Sequence, residues 1–163
     1  MEFKILSSWD GDEVSHSPVE MKLTETSVGL RLAISAPFFD DPAPSGKAGD
    51  PMWMLWEYEV VELFFLNSKS GEYLELEYGP HGQHLGLLFK KWRDFWKKNL
   101  PLDFSASINR KDNTWSGSAL IPWDYLPLGV DKFNAYAIHG CGDERQYEAL
   151  FHVPKSKFSE PDL

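Results

Sequence analysis

The run Leu55-Trp56-Glu57-Tyr58-Glu59-Val60-Val61-Glu62-Leu63-Phe64-Phe65 decides how the chain is read. If the segment Glu57 to Asn67 is extended, Val60, Phe64 and Leu66 share one face while Val61, Leu63 and Phe65 share the other. Apolar residues on both faces mark a central strand covered on two sides. Glu62 falls in the first set. A carboxyl there must be hydrogen-bonded, paired or bound to a ligand, because an isolated buried charge shifts its pKa and neutralises instead.

Working outward, extended segments with period-two alternation recur along the chain, punctuated by Gly, Pro, Asn and Asp. Before the opening run they are Phe3 to Ser8, Val19 to Glu25 and Val28 to Ala36, with Thr26 and Ser27 as a tight connection. After it come Glu72 to Gly79 across Ser68-Lys69-Ser70-Gly71, then Gln83 to Phe89 across Gly79-Pro80-His81-Gly82. Leu102 to Ile108, Thr114 to Ile121, Phe133 to Gly140 and Gln146 to Val153 follow the same grammar, with Asp112-Asn113 as a turn. Pro122 to Leu126 reads as a single helical turn. From Pro37 to Met54 the composition turns to Pro, Gly and Asp, which cannot sustain a ladder and predicts one long loop. The expected fold is all-β, a two-sheet antiparallel β-sandwich of jelly-roll-like form. One domain over residues 1–163 is expected, since no repeat or linker interrupts the pattern.

Composition narrows the function classes. A chain of 163 residues can bury roughly two-thirds of its unfolded surface, so it needs no disulfides. A net charge of -9 opposes the phosphate backbone, and no nucleic-acid partner is expected. No apolar run reaches a membrane span, and no h-region follows Met1. The lone Cys141 suits a reducing compartment, so a cytoplasmic location is expected. Seven tryptophans exceed the ordinary needs of such a core, which points to rings facing a groove.

Parity places Trp56 with Glu62, and the next strand carries Tyr73, Glu75 and Glu77 on one face. The short turn brings Glu62 opposite residues 75 to 77, but register is open, because a one-residue slip swaps faces. If the carboxyls adjoin, a tryptophan-rimmed acidic surface results. Carboxylates accept from adjacent hydroxyls and an indole covers the apolar face of a pyranose, so the expected ligand is a sugar or small polar molecule. The candidate ligand-binding residues are Trp56, Glu62, Glu75, Glu77, Trp53 and Tyr73. Two plainer readings stay open: Glu62 as a buried carboxyl tied to an Arg, Tyr or backbone donor, and Met52, Trp53, Met54 and Trp56 as a plug at the end of the sandwich.

The Trp56-Glu57-Tyr58-Glu59-Val60-Val61-Glu62 run after a Pro-rich loop resembles the binding strand of family-nine carbohydrate-binding modules and DOMON-like sandwiches. Trp9-Asp10-Gly11, the stretch from Thr114 to Trp123, and the strand from Phe133 to His139 fit that resemblance. It implies a carbohydrate-binding-module-like fold, Trp56 as an aromatic platform and Glu62 as a hydroxyl acceptor. Such modules close their site with a second tryptophan near the C-terminus, where this chain has Leu150-Phe151-His152. The resemblance also implies a closing strand beyond Leu163. Over nearly its whole length the chain looks like an uncharacterised animal protein family named for a human chromosome-four open reading frame. The matching stretches are Ser35 to Phe39, Tyr58 to Glu62, Pro80 to Leu85 and Ala137 to Gly140.

Four other groupings carry chemistry-bearing residues. The segment Lys90 to Lys98 interleaves basic and aromatic residues; it reads as a hairpin loop capping the core, or as a surface for anionic lipid, nucleic acid or an acidic partner. The alternative function is an intracellular protein-interaction domain that has lost the sugar site and uses this segment as its contact surface. Asp40, Asp41 and Asp50 suit calcium, the one cofactor considered, against a solvated acidic loop. His81 and His84 lack further spaced ligands and read as a polar turn, and no residue orients His139 toward Cys141. No catalytic residue is expected, because several glutamates alone do not establish a glycosidase geometry.

Overall fold

A computed structural model describes residues 1–154, 157–158 and 161. The architecture is a sandwich of two antiparallel sheets. One sheet contains β1 (Glu2–Ile5), β3 (Val19–Glu25), β4 (Gly29–Pro37), β10 (Thr114–Pro122) and β9 (Asp103–Asn109), in the order β1-β3-β4-β10-β9. The other runs β2-β12-β11-β5-β6-β7-β8, formed by β2 (Ser7–Ser8), β12 (Gln146–Ala149), β11 (Lys132–His139), β5 (Val60–Leu66), β6 (Tyr73–Tyr78), β7 (His84–Lys91) and β8 (Asp94–Lys97). No α-helix occurs among the described residues, and none of their helices is long and apolar enough to cross a membrane.

Alternation builds the inner layer. Leu32 and Ile34 of β4 meet Val61, Leu63 and Phe65 of β5 and Leu74, Leu76 and Tyr78 of β6 in one buried cluster. The turns follow their chemistry: Thr26 Oγ1 donates to the Gly29 carbonyl at 2.7 Å, and Asn113 takes a left-handed φ of 50° between β9 and β10.

The outer face of the larger sheet is also apolar, because it has its own cover. Val60, Leu85, Leu87, Phe89 and Ile138 pack there with Leu55, and Trp56, Tyr58, Tyr73 and Tyr147 lie against them. The two-sided strand β5 therefore carries inner residues for the main core and outer residues for a second, smaller one.

Four boundaries differ from the sequence reading, each for a tertiary reason. The predicted first strand is two: Ile5 pairs with Val19 in one sheet, while Ser7 and Ser8 pair with Ala149 and Glu148 in the other. The strand expected from Glu57 starts at Val60, since Leu55–Glu57 form a 3-10 turn entered through Met54 at φ 64°. The last strand stops at Ala149, because Asn134 Oδ1 accepts from the Phe151 amide at 3.0 Å and draws the chain off the ladder. Within Lys90 to Lys98 lies β8, a solvent-facing strand with no alternation to reveal it.

Candidate functional site

The register on the outer face settles which carboxyls adjoin. Glu62 of β5 is directly opposite Glu77 of β6, and Phe64 is opposite Glu75. On the far side of β6, Leu85 is opposite Glu77, Leu87 opposite Glu75 and Phe89 opposite Tyr73. Facing pairs in an antiparallel ladder share a side, so the three carboxyls form one patch framed by apolar residues. Among the carboxyl oxygens, Glu62 Oε2 and both those of Glu77 are buried without a partner in full hydrogen-bond geometry.

Burial and mutual repulsion hold these carboxyls toward the protonated form. Glu62, 1% exposed, is pushed well above the ordinary carboxyl range by burial and then by the charge of Glu75; the Arg145 charge opposes this. Glu77, fully buried, is pushed well above by burial and by the charges of Glu62 and Glu75. The adjoining Glu75 carboxyl adds to the rise, while the Trp56 backbone pulls the other way. Burial pushes Glu75 up to about 7, and its contact with Glu77 offsets part of the rise. Three like groups side by side cannot all ionise cheaply.

Above the patch lies a cavity of ≈ 430 Å³. Glu62 and Glu75 reach it from the floor, with Leu87, Phe89 and Ile138; Trp56, Tyr73, Phe95, Arg145 and Tyr147 form its walls. The rings form a continuous arc: Trp56 against Trp53 with centroids 5.0 Å apart, Trp53 against Phe95 at 5.7 Å, Phe95 against Phe89 at 4.6 Å, and Phe89 stacked on Tyr73 at 4.2 Å. A second depression of ≈ 400 Å³ adjoins the first and shares Tyr73, with Phe64, Trp92 and Tyr136 among its walls.

Arg145 fixes the platform. Its guanidinium donates to the carbonyls of Trp56 and of Glu57, the latter at 3.0 Å, and its Nε donates to the Tyr147 hydroxyl at 3.0 Å. Those carbonyls are thereby satisfied outside any ladder, which accounts for the turn at the place where the sequence suggests a strand. Trp56 lines the cavity beside Glu62, yet the parity argument is not what puts it there, because it lies on the turn and outside β5.

Of the six residues singled out from sequence, Trp56, Glu62, Tyr73 and Glu75 line the cavity, Glu77 lies beneath it against Glu62, and Trp53 stands at its rim against Trp56. Sequence reasoning missed Arg145, Tyr147 and Ile138, and it missed Phe89 and Phe95. The odd-numbered alternation Leu85, Leu87, Phe89 was a usable signal for Phe89; Arg145, in an irregular segment, offered none. Phe151, from the stretch where related modules carry a second tryptophan, lines a different depression with Met1 and Phe3.

The remaining groupings separate. Asp40 pairs with Arg110 at 3.0 Å, Asp41 accepts from the Gly140 amide at 2.6 Å, and with Asp50 they form no convergent ligand group among the described residues. His84 is buried and accepts from the Leu102 amide at 3.2 Å, while His81 lies edge-on to Phe38. Cys141 is exposed, and His139 is engaged with Glu148.

No family model matches the chain. It is 50% identical over 161 residues to the UPF0462 protein C4orf33 homolog of Rattus norvegicus, a match covering 98% of this chain and 80% of that protein. The Homo sapiens UPF0462 protein C4orf33 is likewise 50% identical, with the same shares covered. The Danio rerio homolog is 48% identical, over 98% of this chain and 81% of its own length. Among solved structures, a candidate carbohydrate-binding protein from Bacteroides uniformis superposes with a TM-score of 0.69. That likeness covers 99% of this chain and 80% of the other at 12% identity, and it shows a shared fold.

Proposed function

The chain belongs to the UPF0462 family, and from its outer-face cavity we propose a non-catalytic binding module for a hydroxyl-rich ligand, a saccharide or small polyol. The observation that carries this reading is the meeting of two buried carboxyls with unpartnered oxygens, Glu62 and Glu77, and the half-buried Glu75 with an arc of aromatic rings at one cavity. Buried acceptors without partners are costly, and ligand hydroxyls supply the donors they lack. The apolar face of a sugar ring covers indole and phenol surfaces at the same time. The adjoining depression across Tyr73 suits a ligand longer than one ring. The fold shared with a candidate carbohydrate-binding protein points the same way.

The test is calorimetric titration and thermal shift with mono- and oligosaccharides and polyols at millimolar concentration, on wild type and Trp56→Ala. Binding by wild type that is lost in Trp56→Ala is expected. No response to any member of the panel would sink the reading.

One observation favours a second use of the surface. Trp92 and Trp96 on the β7–β8 arm are 66% and 54% exposed, with Arg93 and Lys97 over their rings, as suits a protein contact. Reversing the charges of Lys90, Lys91, Lys97 and Lys98 should then remove pull-down partners; unchanged partners would count against this use.

A further inference from the structure

Away from the cavity, on the inner face of the larger sheet, His139 ends β11 and Glu148 lies in β12 beside Ala137. The diagonal between them brings His139 Nε2 to 2.8 Å from Glu148 Oε1. The segment between β2 and β3 crosses this end and delivers His16, whose Nε2 is also 2.8 Å from the same oxygen. Each residue offers one ligand atom, and the three atoms lie within 4.8 Å of one another, the one such group among the described residues. We infer that His16, His139 and Glu148 form a site for one divalent transition-metal ion of the zinc class.

Four observations support the assignment. The first is the tautomer of His16. Its Nδ1 is 2.9 Å from the Ser17 carbonyl, which can only accept, so Nδ1 carries a proton there. In the neutral ring Nε2 then has a lone pair aimed at a carboxylate oxygen, and a positive charge must reconcile the two. A backbone carbonyl on the outer nitrogen is the arrangement that orients ligating histidines.

The second is Glu148 itself. It is 2% exposed, and its Oε2 is buried with no hydrogen-bond partner, so the carboxyl has unused capacity in the site. The third is rigidity. The Phe39 ring stacks on His139 with centroids 3.6 Å apart and meets His16 edge-on at 5.0 Å, which fixes both imidazole planes. Preset ligands lose little freedom on binding.

The fourth is access. A cleft of ≈ 450 Å³, walled by Asp10 and Asp12 among others, opens onto all three residues and leaves room for a water ligand. Two imidazole nitrogens and one carboxylate oxygen with an open fourth position suit zinc and its neighbours; calcium and magnesium take oxygen ligands. Zinc bonds of about 2.1 Å place tetrahedral ligand atoms about 3.4 Å apart, and the three atoms here already lie within 4.8 Å of one another, with each imidazole nitrogen 2.8 Å from the carboxylate oxygen. None of these residues contributes to the proposed ligand cavity, and the two proposals stand or fall separately.

The test uses untagged protein stripped with chelator. Zinc titration by calorimetry and thermal unfolding should give one ion per chain and a raised melting temperature. Cobalt should give the visible bands of a four- or five-coordinate nitrogen and oxygen site. His16→Gln, on a partly exposed segment, should weaken zinc by more than roughly 100-fold, beyond the loss typical of an outer-shell change. Its metal-free melting temperature should stay that of wild type, and Cys141→Ser should bind normally. Absence of stoichiometric binding, or binding retained in His16→Gln, overturns the assignment. So does a His16→Gln protein that is destabilised metal-free while wild type ignores zinc, since that result marks a protonated imidazole paired with Glu148.

Discussion

Replacing Glu75 with glutamine should make the protein more stable at neutral pH and a weaker ligand binder. Burial pushes the Glu75 carboxyl from 4.5 to about 7. Below pH 4.5 it is protonated in folded and unfolded chains alike, and its contribution to stability is fully present. As pH rises from 4.5 through 7 the folded protein holds a proton that the unfolded chain has released, so stability falls. At pH 8 the full cost is about 3 kcal/mol, and roughly 1–3 kcal/mol after allowance for partial exposure. A glutamine escapes this cost, and it removes the charge that raises Glu62 and Glu77.

Urea unfolding followed by tryptophan fluorescence from pH 4.5 to 8.5 measures the difference between Glu75→Gln and wild type. It should be near zero at the acid end and reach roughly 1–3 kcal/mol in favour of the variant at pH 8. His81 and His84, both lowered by burial, contribute stability above 6.5 that is lost as pH falls. They are common to both proteins and cancel in the difference. A flat difference across the range, or a variant less stable at pH 8, would refute the argument that the carboxyl patch is held at a cost to the fold. Such a cost, retained in the natural sequence, is what a functional site often exacts.

Two further outcomes follow from single contacts. Arg145→Met frees the carbonyls of Trp56 and Glu57, so it should lower ligand affinity as Trp56→Ala does and cost roughly 1.5–3 kcal/mol for a lost charged hydrogen bond; titration and urea unfolding check both. Gly29→Ala places a Cβ 2.2 Å from the Ile121 carbonyl in the β4–β10 ladder, where only backbone could yield, and should destabilise by about 1–3 kcal/mol in the same unfolding assay with ligand affinity unchanged.

The sequence by itself determined the sandwich. Alternation is a local property of each strand, and it located the segments that became β3, β4, β5, β6 and β10 to within a few residues, together with the turns at Thr26 and Asn113. It also showed that Glu62 lies on a strand covered from both sides, and that Glu75 and Glu77 share a face. It could not fix register, because sliding β6 by one residue exchanges Glu75 and Glu77 for Leu74 and Leu76 without altering either strand's own pattern. Tertiary structure decided that Glu62 faces Glu77. It also decided that Trp56 sits on a turn clamped by Arg145, 89 residues away, and that β8 forms on aromatic contacts where no alternation exists. The histidine and glutamate group joins residues 132 apart in the chain, so no local spacing announces it. Periodicity reports which side of a strand is covered, whereas the composition of a site depends on which distant segment does the covering.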